Sequence, residues 1–285
     1  MKKYLHLFRE HYINISLVLG LILLLTGGAF FVNNLFGRSE NQNGPIQEMD
    51  VTFDPEGPYI LLVPRKDGNA LYITFKRIST YDEFSYAIAY TDKEGIDRGA
   101  GDLETWIPIE KGRTDYEQEI LFGTCSKNVC KYDEGVENGT LVVRIKKGNK
   151  VSKISSKWHL QQPDIALGNL TSGDNHFSYK TTADRQLLAI TGFSIINDIT
   201  GAPKLPDGKE VRGFVYALNV PLARKMSSEG EIIMELAEDP GSEAKIARYS
   251  EAEGKWTEYE TKNSSGTLTA KATGEGIYAV LAPKK

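Results

Sequence analysis

The sequence has little of what most enzymes and metal proteins are built from. It contains two cysteines and four histidines in 285 residues, and no His-Glu-x-x-His or Gly-x-Ser-x-Gly motif. Beyond the N-terminal region only His159 and His176 remain. A serine triad stays open, because its members meet only in the fold. We predict no catalytic residue and no cofactor, and a non-enzymatic role is favoured.

Positive charge is also scarce. The chain has 34 Lys and Arg against 38 Asp and Glu, a formal net charge of −4. Proteins that bind nucleic acid neutralise phosphates with clustered Lys and Arg. We therefore expect no nucleic-acid partner.

One long uncharged run stands near the N-terminus. Ile13–Val32 reads INISLVLGLILLLTGGAFFV, and twenty residues at helical rise span about 30 Å, the hydrocarbon thickness of a bilayer. Lys2, Lys3 and Arg9 lie on its N-terminal side, which places that flank in the cytoplasm. The sequence predicts a cytoplasmic N-terminus over 1–12 and a transmembrane helix over 13–36 in contact with membrane lipid. The rest of this single-pass protein of the cell membrane then lies outside the cytoplasm.

A cleaved signal peptide is the alternative. Ile13–Leu25 would be its apolar core, and Thr26–Ala29 supplies small residues for cleavage. Apolar residues resume at once with Phe30, however, and the full run suits a spanning helix better. We favour a retained anchor.

The chain after the anchor has the pattern of β-structure. Residues 37–50 are polar and predict a stalk, and residues 51–161 contain seven short apolar or alternating runs separated by turns. This pattern is typical of an antiparallel β-sandwich of immunoglobulin or fibronectin type III character. A polar Gln-Gln-Pro-Asp stretch begins at Gln161 and marks a domain boundary, and 162–285 predicts a second β-sandwich. The predicted fold is mainly β, with an N-terminal transmembrane helix and two sandwich domains.

Within the second half, two local predictions are specific enough to test. Gln186–Ile196 is expected to be a strand, and Leu222–Ser228 is the one segment expected to form a helical turn.

The two cysteines, Cys125 and Cys130, lie in LFGTCSKNVCKYDEGV. In an oxidising exterior, two cysteines at this spacing most simply close a small disulfide loop. The spacing is not the redox Cys-x-x-Cys, and a metal site would need further soft ligands. We predict a structural disulfide that fixes a turn.

Acidic residues crowd into one predicted turn, TDKEGIDRGAGDLE. Oxygen ligands on a glycine-rich loop are what calcium requires, although the spacing is not that of an EF-hand. The candidate calcium ligands are Asp92, Glu94, Asp97 and Asp102, with Glu104 nearby. An ordinary acidic hairpin turn is the simpler interpretation and is favoured.

Three tryptophans, Trp106, Trp158 and Trp256, are candidates for a platform on which a glycan stacks. One tryptophan per group of strands is also what a β-sandwich buries in its core, and burial is favoured.

Two segments carry a resemblance to known proteins. LFGTCSKNVCKYDEGV (Leu121–Val136), followed by TLVVRIKK and by a Trp158–Gln161 strand, resembles a segment of single-pass surface proteins from small-genome, uncultivated bacteria. Ala247–Leu281 is similar to the closing strands of ZU5-like bacterial cell-surface β-domains, with an aromatic strand, a G-x-W strand, a Thr-rich strand and a final G-x-Y-A-V strand. Both resemblances imply an exported β-architecture, and neither implies an activity or a ligand.

These features together predict a membrane-anchored surface or envelope module that binds a protein or a glycan without catalysis. An envelope hydrolase that cleaves carbohydrate or peptide, with a site between the domains, is one alternative. A structural subunit of an envelope assembly is another.

Overall fold

Runs of β-branched and aromatic residues become strands throughout the part of the chain that the structure describes. This computed structural model describes residues 47–127, 129–162 and 168–284. The chain is mainly β, with 58% strand, several antiparallel sheets and one short helix. Within the described ranges, the structure contains no helix long and apolar enough to cross a membrane. The predicted cytoplasmic segment 1–12, the predicted transmembrane helix 13–36 and residues 37–46 of the predicted stalk lie outside them.

Ten strands make up the first half of the described chain. Their bounds are β1 (Gln47–Asp50), β2 (Tyr59–Pro64), β3 (Ala70–Lys76), β4 (Glu83–Thr91), β5 (Asp97–Pro108), β6 (Tyr116–Leu121), β7 (Gly123–Ser126), β8 (Val129–Tyr132), β9 (Asn138–Lys147) and β10 (Lys150–Gln161). The last four residues of the predicted stalk thus form β1, which pairs in parallel with the start of β10.

Two sheets enclose the core of this half. The sheet β2-β3-β6 faces the strands β5-β4-β9-β10. Alternate residues point inward, as in β9, where Leu141, Val143 and Ile145 are buried. They pack with Phe75 and Phe84, whose ring centroids lie 4.6 Å apart. A tight hairpin at Gly148-Asn149 joins β9 to β10.

The second half contains ten further strands and the helix. They are β11 (Asn169–Thr171), β12 (Phe177–Thr181), α1 (Arg185–Thr191), β13 (Ser194–Ile199), β14 (Lys209–Asn219), β15 (Glu229–Glu235), β16 (Lys245–Ser250), β17 (Lys255–Glu258), β18 (Thr261–Ser264), β19 (Thr267–Thr273) and β20 (Gly276–Pro283). The sheet β11-β12-β15-β19-β18 covers one face of the strands β13, β14, β20 and β16. Phe177, Tyr216 and Tyr278 meet in the core between them, with ring centroids 5.3–5.4 Å apart.

The predicted strand Gln186–Ile196 is wrong in its first part. Asp184 accepts a hydrogen bond from the Leu187 amide at 2.8 Å and begins α1, and the helix ends at Gly192. Only the residues from Ser194 onward are strand. The helical turn predicted at Leu222–Ser228 is not a helix either. In the first case, the capping side chain of Asp184 stabilises a helix, although the residues that follow have the pattern of a strand.

The sheet does not stop at residue 161. β10 pairs with β13 from Trp158 to Gln161, so one ten-stranded sheet runs in the order β17-β16-β20-β14-β13-β10-β9-β4-β5, with β1 beside β10. Residues 47–285 group as one compact unit. The division into two sandwich domains at this position therefore stays a prediction, while the described strands are joined by main-chain pairing.

β2 strengthens this join because it is buried on both faces. Ile60 and Leu62 belong to the core of the first half, while Tyr59 and Leu61 pack on the far face of β13 and β14. An uninterrupted apolar run, YILLV, is the sequence consequence of covering two faces at once. Asn197 of β13, which is fully buried, donates its amide to the Ile60 carbonyl at 3.0 Å.

Candidate functional site

The most distinctive surface feature is a two-stranded hairpin, Gly123–Tyr132, which we call the finger. Its strands β7 and β8 pair only with each other among the described strands. The finger starts at Gly123, whose φ is +133° and whose added Cβ would lie 2.2 Å from the Lys131 carbonyl oxygen. Glycine is required there because any side chain would separate the two strands where they leave the body.

The base of the finger is firmly held. Phe122, immediately before it, is fully buried, with its ring 4.9 Å from that of Tyr90 and 5.8 Å from that of Trp158. The Phe122 carbonyl accepts a hydrogen bond from the Asp133 amide at 3.0 Å, which closes the hairpin at its root. The finger therefore leaves the body from a fixed position.

Cys125 and Cys130 are directly opposite each other in the finger and form a disulfide, with Cα atoms 4.0 Å apart. The predicted disulfide is confirmed. A hairpin of two four-residue strands is at best marginally stable in water. Closing so short a loop contributes about 2 kcal/mol by restricting the unfolded chain. This contribution to the free energy of folding is large relative to the marginal stability of such a hairpin, so the disulfide holds the finger in shape.

The surface of the finger is basic and partly apolar. Its charged residues are Lys127 and Lys131, and no acidic residue occurs between Gly123 and Tyr132. Val129 is 73% exposed and Tyr132 is 37% exposed. On a chain of net charge −4 this is a local surface of opposite sign. An exposed aliphatic side chain between two cations is suited to contact with a partner and contributes nothing to the core.

The tip of the β4–β5 hairpin is linked to the root of the finger by charged groups. Arg98 lies 3.1 Å from Asp92 and 3.8 Å from Asp133, measured from Nε to the carboxylate oxygens. The Tyr90 hydroxyl donates to Asp133 at 2.9 Å, and burial, together with this carboxylate, raises the pKa of Tyr90. Lys93 pairs with Glu134. These contacts position the two hairpins against each other.

The predicted calcium ligands have other partners. Asp92 accepts hydrogen bonds from the amides of Glu94 and Ile96, both at 2.9 Å, and Asp102 accepts from the Glu104 amide at 2.9 Å and the Thr105 hydroxyl at 2.7 Å. These bonds hold the pKa of both carboxyls below the usual value, led by the Ile96 amide for Asp92 and the Glu104 amide for Asp102. Each carboxylate thus shapes its own turn.

Asp97 accepts a hydrogen bond from the Thr91 hydroxyl at 3.0 Å, while Glu94 is exposed at the tip of the hairpin. Over the described residues, no group of three or more His, Cys, Asp or Glu is arranged to hold a metal ion. Asp92 and Glu94 thus lie in the β4–β5 turn, while Asp97, Asp102 and Glu104 lie in β5.

The three tryptophans lie in three different environments. Trp158 is 1% exposed in the core of the first half. Trp106 lies on the outer face of β5, with Arg144 5.1 Å and Lys146 5.6 Å from its ring centroid. Trp256 packs beside Tyr249 and donates to the Lys204 carbonyl at 3.0 Å. The structure does not bring them together as one stacking platform.

The two histidines have different partners. His159 contacts Asn138 and Gln161 through its ring nitrogens, at 2.7 and 2.9 Å. His176 lies beside the exposed ring of Phe214 and 3.8 Å from Glu235. Neither ring hydrogen-bonds a serine or cysteine side chain in the described structure, so the geometry contains no assembled nucleophile and base.

Comparison with known proteins adds no family. No protein-family model matches the sequence, and no curated protein matches it.

Sequence reasoning found the disulfide but not the finger as a surface. The signal was present: two cysteines closing four residues, two lysines, and no acidic residue over ten positions. This signal predicts only a clipped turn, because the exposure of side chains is not visible in a short segment.

Proposed function

We propose that this protein is a membrane-tethered, non-enzymatic binding module outside the cytoplasm, and that the finger recognises a protein partner. The predicted helix over 13–36 would supply the tether. The strand order β2-β3-β6 against β5-β4-β9-β10 is that expected of a fibronectin type III-like sandwich, and the second half would be a further sandwich of the same general type. Such scaffolds present loops and hairpins while the core stays unchanged.

The observation that carries this proposal is the disulfide-clipped, basic and exposed finger. Because its shape is fixed before binding, little ordering entropy opposes association. Its outer strand edges pair with no other described strand, so their backbone groups are available to an added strand of a partner. A disulfide on the surface also suits a compartment more oxidising than the cytoplasm.

A crosslinking experiment on the full chain tests the finger. A photo-reactive amino acid replaces Val129, which is 73% exposed, and, in a matched control, Leu222, which is 63% exposed. In the envelope fraction of the source cells, we expect a discrete crosslinked partner from position 129 and none from position 222. Charge reversal, Lys127→Glu with Lys131→Glu, should abolish this product. Identical products from both positions, or a product indifferent to charge reversal, would contradict the proposal.

The tether and its orientation need a separate test. Alkaline phosphatase fused after Lys285 gains activity only outside the cytoplasm, whereas a fluorescent protein that fails to fold after export reports the opposite side. Activity of the first fusion, in the membrane fraction, is the expected result. An active, fully soluble phosphatase fusion would instead favour a cleaved signal peptide.

A further inference from the structure

We propose that the β-bulge of β14 forms a carbohydrate-binding groove in the second half, independent of the finger. β14 pairs with β20 in two stretches, and its register shifts between Arg212 and Tyr216. Gly213, within this bulge, has φ +71°. β-Bulges redirect side chains and are frequent beside functional sites. Here the bulge turns Phe214 outward.

Phe214 is 56% exposed, which is unusual for a large aromatic ring in the interior of a strand. The ring of His176 is nearly parallel to it, with an interplanar angle of 14° and centroids 6.4 Å apart. Behind them the Tyr216 ring lies 6.5 Å from that of Phe214, and its hydroxyl donates to Asp174 at 2.8 Å. The exposed rings are therefore supported from below by a buried, hydrogen-bonded tyrosine.

A hollow of about 550 Å³ opens beside Gly213, the residue before Phe214, between β14 and the segment 236–241. Its wall approaches β14 closely, because a Cβ at Gly213 would lie 2.9 Å from Leu236. The hollow is lined on one side by Val211 and Arg212 and on the other by Leu236, Glu238 and Asp239. It combines apolar and polar surface in one groove, as ligand sites do.

The far wall of the groove is fixed in advance. Leu236 donates its amide to the Gly266 carbonyl at 2.9 Å. Asp239 accepts from the Gly241 amide at 3.0 Å and from the Asn263 side chain at 2.8 Å. These bonds, led by the Gly241 amide, hold the pKa of Asp239 below its usual value. A groove ordered before binding loses little entropy when a ligand enters.

The chemistry of the groove selects the ligand class. A pyranose ring has an apolar C–H face that packs on an aromatic ring, and a rim of hydroxyls that needs donors and acceptors. Phe214 and His176 offer the aromatic surface, and Arg212 and Glu238 offer the hydrogen-bond donors and acceptors. Glu235, Glu238 and Asp239 around the site disfavour anionic ligands, and Arg212 is already paired with Glu210 at 2.5 Å. We therefore commit to neutral or amino-sugar oligosaccharides and exclude uronic acids.

Calorimetric titration of the full chain in detergent tests this inference. The probes are hexamers of N-acetylglucosamine and of glucose, a hexamer of galacturonic acid and a proline-rich peptide. We expect at least one neutral hexamer to bind and both other probes to fail. Phe214→Ala should weaken binding at least tenfold, and His176→Ala should weaken it by a smaller factor. Leu222→Ala, which removes another exposed apolar side chain elsewhere, should leave it unchanged.

Several outcomes would overturn the inference: binding of neither neutral hexamer, equal binding to the Phe214→Ala protein, preference for the acidic hexamer, or binding of the peptide instead. Unchanged thermal unfolding of each variant shows that a lost signal is not lost folding. The Lys127→Glu and Lys131→Glu substitutions test the finger alone, so sugar binding should survive them. Failure at one surface is thus distinguishable from failure at the other.

Discussion

Replacing Asn197 with alanine should destabilise the whole described unit, because this side chain takes the place of a neighbouring strand. β2 hydrogen-bonds to β3 along one edge only. On its other, buried edge, Asn197 donates to the Ile60 carbonyl at 3.0 Å and accepts from the Leu62 amide at 3.4 Å. These are two backbone groups that a further strand would otherwise satisfy. Asn219 adds one bond to the Leu62 carbonyl at 3.1 Å.

The magnitude follows from what truncation leaves behind. Each buried backbone group without a partner costs about 1–3 kcal/mol, and the longer bond to Leu62 contributes the lower figure. We expect Asn197→Ala to lower the free energy of unfolding by about 2–4 kcal/mol. For a unit of this size that corresponds to a fall of roughly 5–15 °C in Tm.

Calorimetry and urea titration of the full chain measure this, with Asn263→Ala as a control. Asn263 is a half-exposed asparagine that bonds the turn at Asp239. We expect the control to lower Tm by less than about 3 °C, in line with substitutions outside the core. Equal, small changes for both variants would refute the reasoning, since Asn197 would then not be what satisfies the buried edge of β2.

Three further predictions follow from the same structure. Gly139→Ala should destabilise the first half by about 1–3 kcal/mol, seen as a lower urea midpoint, because the added Cβ would lie 2.2 Å from the Trp158 ring and 2.4 Å from the Ala89 carbonyl. Gly173→Ala is the control, because φ is not positive there and the nearest atom to an added Cβ lies 3.7 Å away. Burial alone would raise the pKa of Asp174, but hydrogen bonds from Ser172, the His176 amide and Tyr216 outweigh it and hold the pKa below its usual value. The ionised Asp174 carboxylate therefore stabilises the fold above its unfolded-state pKa near 4, and this stabilisation is lost as the pH falls through its lower folded-state pKa. Asp174→Asn should lower the free energy of unfolding far more at pH 7 than at pH 2.5. An equal loss at both pH values would contradict this. Reducing the Cys125–Cys130 disulfide should speed amide exchange in the finger while Tm of the body changes by less than about 2 °C, and a large fall in Tm would show that the finger supports the core.

The fold class could be predicted from the sequence because period-2 alternation is local. β9 and β10, which a hairpin at Gly148-Asn149 joins, show this alternation. The strand order could not be predicted, since the pairing of β10 with β13 joins residues far apart in the chain and across a stretch that contains proline. The helix was missed because Asp184, which caps it, precedes a segment whose later residues do form a strand. β1 was missed because a polar strand paired on one side lacks an apolar pattern.

The candidate sites also divide into one that local sequence is sufficient to predict and others that depend on the fold. The disulfide depends on two residues five positions apart, and so the sequence was sufficient. The role of the tryptophans depends on which face of a sheet is covered, and Trp158 is buried because Gly139 on the neighbouring strand leaves room for its ring. Phe214 has no signal in the sequence at all. In KEVRGFVYALN it occupies what the alternation would make an inward position, and only the bulge at Gly213 exposes it.

The way the two halves are joined bears on how the two surfaces would act together. An apolar contact alone tolerates sliding, whereas main-chain pairing of β10 with β13 and the amide of Asn197 on β2 each require a definite register. The finger leaves the body beside Trp158 of β10, and the bulge lies on β14, the strand next to β13. The root of the finger therefore packs against β10, and the bulge lies two strands away, on β14 of the same sheet as β10. The spacing between the root of the finger and the bulge is therefore set by paired strands and not by a flexible linker, so a protein bound at the finger and a sugar bound at the groove would be held in a defined relation.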